Sequence, residues 1–283
     1  MNNRSASRAT LRTLAYLVLT AVAIVTLVPL VYAFFASFKP SAEILSSGSQ
    51  LLPETWTFDN YIRAWELGGF SRYLANSVIV VIGVVAIDLF ASSMLGYLLA
   101  RRAVPFHGAI VAVMSFTLFV GVGTATLYPR LQIAQVLGID NLFGVILVEL
   151  SGIGIIHVFL IRAFCESLPL ELEEAGRLDG LGLFGVYSRL ALPLMRPILA
   201  TTGILAFQEA WNNFQIPYVF TISDQDLRTL VVGVFALRST SEGTQAYDLM
   251  LAGAMIIIVP IVILFFVFQR FFIQGMTEGS VKG

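Results

Sequence analysis

CESLPLELEEAGRLDGLGLFGVYSRLALPLMRP, residues 165–197, places five acids and three arginines between two apolar runs, 142–164 and 198–220. Each flanking run is long enough to cross a hydrocarbon core of roughly 30 Å as a helix, for which about 20 mostly apolar residues suffice. A charged segment between two such runs reads as a loop joining two membrane helices. Within it, two short helices joined at a glycine turn are predicted. Ser167 is placed to cap the first, and Pro169 is tolerated in its opening turn. Glu171, Glu173 and Glu174 lie toward its N-terminal end, where negative charge is favourable. Asp179-Gly180 is a turn signal, because glycine adopts positive φ without steric cost. The second helix is predicted from about Leu183 to Leu192, before Pro193. Leu183, Val186, Tyr187 and Leu190 follow i, i+3, i+4, i+7 spacing, one apolar stripe on a short helix. Such a stripe on a polar loop needs somewhere to bury. A partner's groove and the membrane surface both satisfy it, and spacing leaves the two open.

The same length rule applied outward predicts about six spans, at 14–36, 74–100, 109–128, 142–164, 198–220 and 247–272. The fold class is therefore an all-α membrane protein. Composition agrees, with 57% hydrophobic and 12% charged residues and a mean hydropathy of +0.84; soluble chains run near 45–50% apolar and about 25% charged. The first run follows Arg4, Arg8 and Arg12 but exceeds the roughly 7–15 residues of a signal-peptide core, so it reads as a retained helix. Of the 17 lysines and arginines, eleven fall on segments sharing a side with the termini and six on the other. That asymmetry predicts both termini in the cytoplasm. Two long outer loops result. Residues 37–73 carry Trp56, Tyr61 and Trp65, suited to the interface or to a partner, and residues 221–246 mix charge with the apolar stretch 230–237. No repeat, low-complexity tract or separate soluble domain is legible. Residues 1–283 read as a single transmembrane domain with a cytoplasmic tail at 273–283.

Several function classes are disfavoured. A net charge of −1 gives no reason to expect nucleic acid. The single cysteine, Cys165, rules out an intrachain disulfide and a thiolate metal cluster. His107 reads as a loop histidine and His157 as a buried or interface residue, and neither has a second metal ligand at useful spacing, so no metal site is expected. Ser151 and His157 share a span but, six residues apart, point to different faces, and Glu149 stands where a Gly-x-Ser motif at Ser151 would need glycine, so a protease is disfavoured.

The polar residues inside the spans are the candidates for chemistry. Gln208, Trp211, Asn212 and Gln215 recur at i, i+3, i+4, i+7 in the fifth span, with Asn213 beside them. Amides offer donors and acceptors and an indole face supports stacking, a combination suited to a solute path bearing hydroxyls. The same amides equally suit hydrogen bonding across a helix–helix interface. Asp88, Glu149 and Glu209 also fall within spans, where each should face protein or water. They serve either as proton relays of a proton-coupled carrier or as hydrogen-bonded structural groups.

Glu174-Ala175, Asp179-Gly180, Leu192-Pro193 and Pro197 resemble the EAA loop of binding-protein-dependent ABC importer permeases. The framework of Glu174, Gly180, Leu190, Leu192 and Pro193 is kept, with departures at Gly176 and Leu181, where alanine is common, and Tyr187 where phenylalanine is frequent. Phe38-Lys39-Pro40, Phe58-Asp59-Asn60-Tyr61 and Ala210-Trp211-Asn212-Asn213 look like the same family. The tail from Gln274 to Gly283 is similar to that of maltose-type second permeases. The resemblance implies a type I ABC importer permease fold in a bacterial inner membrane. It implies coupling to the ATPase through Glu174, Ala175, Asp179, Gly180, Leu183, Tyr187, Leu192 and Pro193. Gly275, Thr277 and Lys282 of the tail would lie at the ATPase interface. The implied partners are a homologous second permease, two ATP-binding subunits holding ATP and Mg, an extracytoplasmic solute-binding protein and membrane lipid; the solute would be a sugar or polyol. A Walker loop needs Gly-Lys-Ser/Thr, and neither lysine, Lys39 or Lys282, follows a glycine. No cofactor and no enzymatic activity are therefore expected in this chain.

Overall fold

The computed structural model describes residues 3–46, 50–120, 123–222, 224–237 and 246–278. Among these residues there is no strand. The helices are α1 (Asn3–Ala36), α2 (Ser41–Ser46), α3 (Asp59–Leu67), α4 (Phe70–Ala100), α5 (His107–Phe119), α6 (Leu127–Val136) and α7 (Leu142–Glu166). They continue with α8 (Leu170–Leu178), α9 (Leu183–Val186), α10 (Leu192–Leu194), α11 (Arg196–Asn212), α12 (Gln215–Phe220), α13 (Leu230–Ala236) and α14 (Tyr247–Glu278). Arg12–Ala36 of α1, all of α4, and Tyr247–Phe268 of α14 are each long and apolar enough to cross a membrane. Counting each of three bent pairs as one span, His107–Phe119 with Gly123–Val136, Leu142–Leu150 with Gly154–Glu166 across a 52° bend in α7, and Leu183–Leu194 with Arg196–Asn212, would raise the number to as many as six.

The expected spans need correction at two places. The third is not one helix over 109–128. The backbone leaves α5 at Val120, φ −95° and ψ 76°, and thirteen residues rise only about 20 Å, so α5 needs the following segment to complete a crossing. The fifth is not one helix over 198–220 either. Pro217 lacks an N–H and its ring would strike the carbonyl four residues back, that of Asn213. The helix accordingly stops at Asn212, Asn213 is extended at φ −66° and ψ 120°, and α12 starts afresh at Gln215, with the Asn213 side chain accepting from Ile216 N at 3.3 Å.

The chain forms two compact units, Met1–Phe70 with Val234–Ile258, and Ser71–Gly233 with Val259–Gly283. In the first, α1 exposes apolar side chains such as Leu17, Val25 and Phe34 along its length, the surface of a helix bathed in hydrocarbon. Its end is fastened by the loop that follows. Asn60 Nδ2 donates to Ser37 O at 2.9 Å and to Lys39 O at 2.8 Å, and Thr57 N donates to Phe38 O at 2.9 Å. The Phe38 ring meets Phe58 and Tyr61, each with centroids 5.2 Å apart. Two sequence motifs twenty residues apart thus form one corner. Lys39 is buried with Nζ donating to Gln50 O at 2.7 Å and lying 3.6 Å from Glu43. Glu43 in turn accepts from Glu54 N at 3.0 Å, and that amide holds its carboxyl below the ordinary value. Tyr61 is engaged in the corner, Trp56 lays its ring against Phe38 and Phe35 at 5.6 and 6.0 Å while keeping an exposed side, and Trp65 remains exposed.

In the second unit, α4 runs beside α7, which starts where Asn141 Oδ1 accepts from Phe143 N at 2.9 Å, a side-chain N-cap. The start of α4 is tied to the 221–246 segment. Asn76 Nδ2 donates to Asp226 O and Arg228 O at 2.8 and 2.9 Å, Leu230 N donates to Ser77 Oγ at 2.8 Å, and Arg72 pairs with Asp226. Replacing Asn60 with alanine should strip two buried carbonyls of their donor and lower stability by about 2 kcal/mol. A drop in the thermal unfolding midpoint of the detergent-purified protein checks this, with Tyr61→Phe expected to cost less.

Candidate functional site

The 165–197 segment folds as a helical hairpin whose turn follows from local rules. Ser167 is not the cap of α8; its hydroxyl donates back to Phe164 O at 2.7 Å, closing α7. Pro169 occupies the N-cap position of α8 with φ −58° and ψ 133°, and no side-chain cap forms. At the other end, Gly180 N donates to Arg177 O and Leu181 N to Gly176 O, both at 3.0 Å. That is the Schellman closure, which places the residue after the C-cap in the left-handed region. Gly180 lies there, at φ 85°. The second helix begins at Leu183 as expected but continues past Pro193 to Leu194, through a π-helical turn over Tyr187–Ala191. The widened turn precedes the proline whose ring would clash with Arg189 O in a regular helix. Leu183–Leu194 then meets α11 at 78°.

Three of the four stripe residues, Val186, Tyr187 and Leu190, find their burial within the chain itself. Val186, Tyr187, Ala191 and Met195 enter a core with Tyr97 of α4 and Ile161 and Cys165 of α7, and Leu190 and Leu192 pack against it. Leu183 remains exposed. Tyr187 OH lies 2.8 Å from Ser93 Oγ and its ring 5.5 Å from that of Tyr97, so this residue is anchored inside the chain. Gly176 packs against Leu190: an added Cβ would come within 2.5 Å of Leu190 Cδ1, the movable end of that side chain.

What the hairpin turns outward is different. Glu174, Ala175, Asp179, Gly180 and Pro193 are exposed, together with Leu178 at 89% and Phe184 at 65%. Sequence reasoning passed over Leu178 and Phe184. The spacing of Glu174 and Leu178, four apart on α8, was the available signal for the first. It also passed over Glu173. This carboxylate is buried, bonded to Arg101 Nε at 2.7 Å and to Tyr97 OH at 3.0 Å. No local signal separates it from Glu171 and Glu174.

The polar residues of the spans divide. Gln208, Asn212 and Gln215 are exposed and Asn213 is half-buried, but the break at Asn213 takes Gln215 off the helix that carries the other two. Trp211 is buried, its ring stacked on Phe207 at 5.5 Å and 9°. Gln208 lines an open groove whose other walls are apolar, among them Phe207, Leu264 and Phe268. Asp88 and His157 form a buried pair, Oδ2 to Nδ1 at 2.7 Å. Glu209 is exposed and within electrostatic reach of both. Glu149 is buried, and neither of its oxygens has a hydrogen-bond partner among the described residues. His107 opens α5, with Nε2 3.0 Å from Leu99 O. Among the described residues no group of three or more metal-ligating side chains converges. Of the tail, Gly275 and Thr277 fall on the backbone of α14, and Lys282 lies outside the described residues.

A long helical chain, its spans joined by a hairpin with a buried root and an exposed tip, is the architecture of a membrane permease. The sequence pattern of the family "Binding-protein-dependent transport system inner membrane component" matches residues 1–278, and the chain belongs to that family. It is a membrane component of a transport system and not an enzyme. It is 37% identical over 268 residues to the arabinooligosaccharides transport system permease protein AraQ of Halalkalibacterium halodurans, covering 93% of each chain. It is 30% identical to the diacetylchitobiose uptake system permease protein NgcG of Streptomyces coelicolor, over 92% of this chain and 85% of that one. Its fold is similar to that of a chain in the crystal structure of a bacterial ABC transporter involved in the import of the acidic polysaccharide alginate. There the TM-score is 0.79 at 23% identity, over 94% of this chain and 98% of that one.

The turn geometry makes a quantitative expectation. An added Cβ at Gly180 meets nothing within 4 Å, so Gly180→Ala should suffer only the left-handed backbone penalty, about 1–2 kcal/mol. Gly180→Asn should lose less, because asparagine tolerates that region better. Thermal unfolding of the two variants side by side gives the comparison.

Proposed function

We propose that this chain is a permease subunit of an ATP-driven importer for a sugar, an oligosaccharide or a related polyol. One observation carries the reading: the 165–197 hairpin is rooted in the protein by a buried stripe yet presents Leu178 and Phe184, large apolar side chains, beside Glu174, Ala175, Asp179 and Gly180. A rigid knob with an apolar tip and a carboxylate rim fits a groove on a soluble partner better than it fits water. That partner is the ATPase, two copies of which bind ATP and Mg. The whole chain acts as one transmembrane permease domain in the bacterial inner membrane, with both termini and the hairpin in the cytoplasm. A homologous second permease completes the path, and an extracytoplasmic solute-binding protein delivers solute to the side bearing the 37–73 and 221–246 loops.

The sugar-transport names of the relatives at 37% and 30% identity support the solute class. Gln208, Asn212, Asn213 and Gln215 border the path, with Trp211 backing them from the interior. Gly275, Thr277 and Lys282 of the tail contact the ATPase. The proton-driven alternative through Asp88, Glu149 or Glu209 has less support, since the chain belongs to a family of binding-protein-dependent transport components.

A tagged copy purified from its native membrane in mild detergent should bring down an ATP-binding subunit and a second permease. A chain that emerges alone and transports on a proton gradient without ATP would overturn the reading. In the reconstituted complex, Phe184→Asp, Leu178→Asp and Gly180→Trp should each reduce binding-protein-stimulated ATP hydrolysis at least tenfold while the chain still inserts. Normal stimulation in all three would remove the docking claim. Glu149→Gln should leave uptake within about twofold, whereas the carrier alternative expects its loss.

A further inference from the structure

The hairpin's root is held in two physically different ways. Toward α7 its contacts are apolar, to Ile161 and Cys165, apart from a weak thiol bond from Cys165 Sγ to Met195 Sδ at 3.1 Å, and apolar contacts impose no direction and permit small slides. Toward α4 they are directional. Ser93 and Tyr97 of α4 and Arg101, the residue just past its end whose N donates to Tyr97 O at 3.1 Å, recur every four residues and so share one face. All three hold the hairpin: Ser93 Oγ meets Tyr187 OH at 2.8 Å, Tyr97 OH donates to Glu173 Oε2 at 3.0 Å, and Arg101 Nε donates to Glu173 Oε1 at 2.7 Å. Arg101 Nη2 also reaches Leu168 O at 3.4 Å. The Arg101 and Glu173 side chains are each only 7% exposed. A buried ion pair that also has its remaining hydrogen bonds satisfied resists separation, because parting it leaves a charge without water or partner.

We infer that Tyr97 and Arg101, closing on Glu173, are positioning residues that lock the hairpin to α4, so that a displacement of the exposed tip is delivered to α4. The inference rests on the docking role proposed above and adds the internal joint through which it acts. α4 is one unbroken helix from Phe70 to Ala100, and a push at its Arg101 end is carried to Ser71, roughly 45 Å away at about 1.5 Å per residue. On the way it passes Asp88, the α4 member of the pair with His157.

The test uses the purified importer with its partner subunits. Cys165 is the sole cysteine and is buried, so Ser71→Cys, at an exposed position, supplies a single reporter for maleimide labelling. In the otherwise wild-type complex, ATP with vanadate should change the labelling rate at least threefold. Tyr97→Phe and Glu173→Gln should abolish that change although vanadate still traps nucleotide on the ATPase. Arg101→Glu should abolish it too, and combining it with Glu173→Arg should restore at least half. If a single charge variant fails to assemble, recovery of both assembly and the labelling change in the swapped pair supports the joint; a swap that assembles without the change overturns it. Retention of the full change in Tyr97→Phe and Glu173→Gln, or no change in the wild-type complex, also overturns it. Failure of any ATPase to co-purify would instead sink the docking role itself.

Discussion

The hydrocarbon core of a membrane holds no water to satisfy a polar group, so a polar group carried into a span is costly unless the protein supplies a partner; among the described residues Glu149 stands out as an exception. The rest of this structure is arranged around that constraint. Asn60 satisfies the two carbonyls where α1 ends, Asn76 satisfies two more where the 221–246 segment turns, and His157 pairs with Asp88 within the spans. Arg101 and Glu173 do the same beneath the hairpin. Each of these contacts joins segments far apart in sequence. The apolar residues supply bulk burial, while the polar pairs fix register, because a hydrogen bond tolerates little displacement and an apolar contact tolerates more.

The hairpin shows how one short segment serves two surfaces. Its inner face is committed to the chain through Val186, Tyr187, Ala191 and Met195. Its outer face keeps Leu178 and Phe184 in the open. Had the periodic stripe faced outward, the hairpin would need a partner to fold at all. With the stripe buried, the hairpin has a shape of its own before anything docks, which lowers the ordering entropy lost on docking. The left-handed Gly180 and the close approach at Gly176 both belong to this preformed shape.

The polar residues of the fifth span illustrate a different lesson. Their helical spacing is real as far as Asn212, and Gln208 and Asn212 do share an exposed face. Pro217 ends the regularity by displacing Asn213 from the helix, and Trp211 turns inward to stack on Phe207. Periodicity assigns residues to faces of an ideal helix, but it does not say which face the neighbouring helices cover.

By itself the sequence determined the all-helical membrane character, most of the spans, the hairpin with its turn at Gly180, and the family. These follow from local quantities: the length of an apolar run against the thickness of a bilayer, the φ a glycine permits, and a motif read in order. Tertiary structure alone decided which of three neighbouring glutamates would be buried, where the apolar stripe would go, and that Phe38 and Asn60 would share one corner. Those outcomes depend on which side chains α4 and α7 bring to the same place, and a pairing between residues 72 positions apart, Arg101 and Glu173, leaves no trace in the neighbourhood of either.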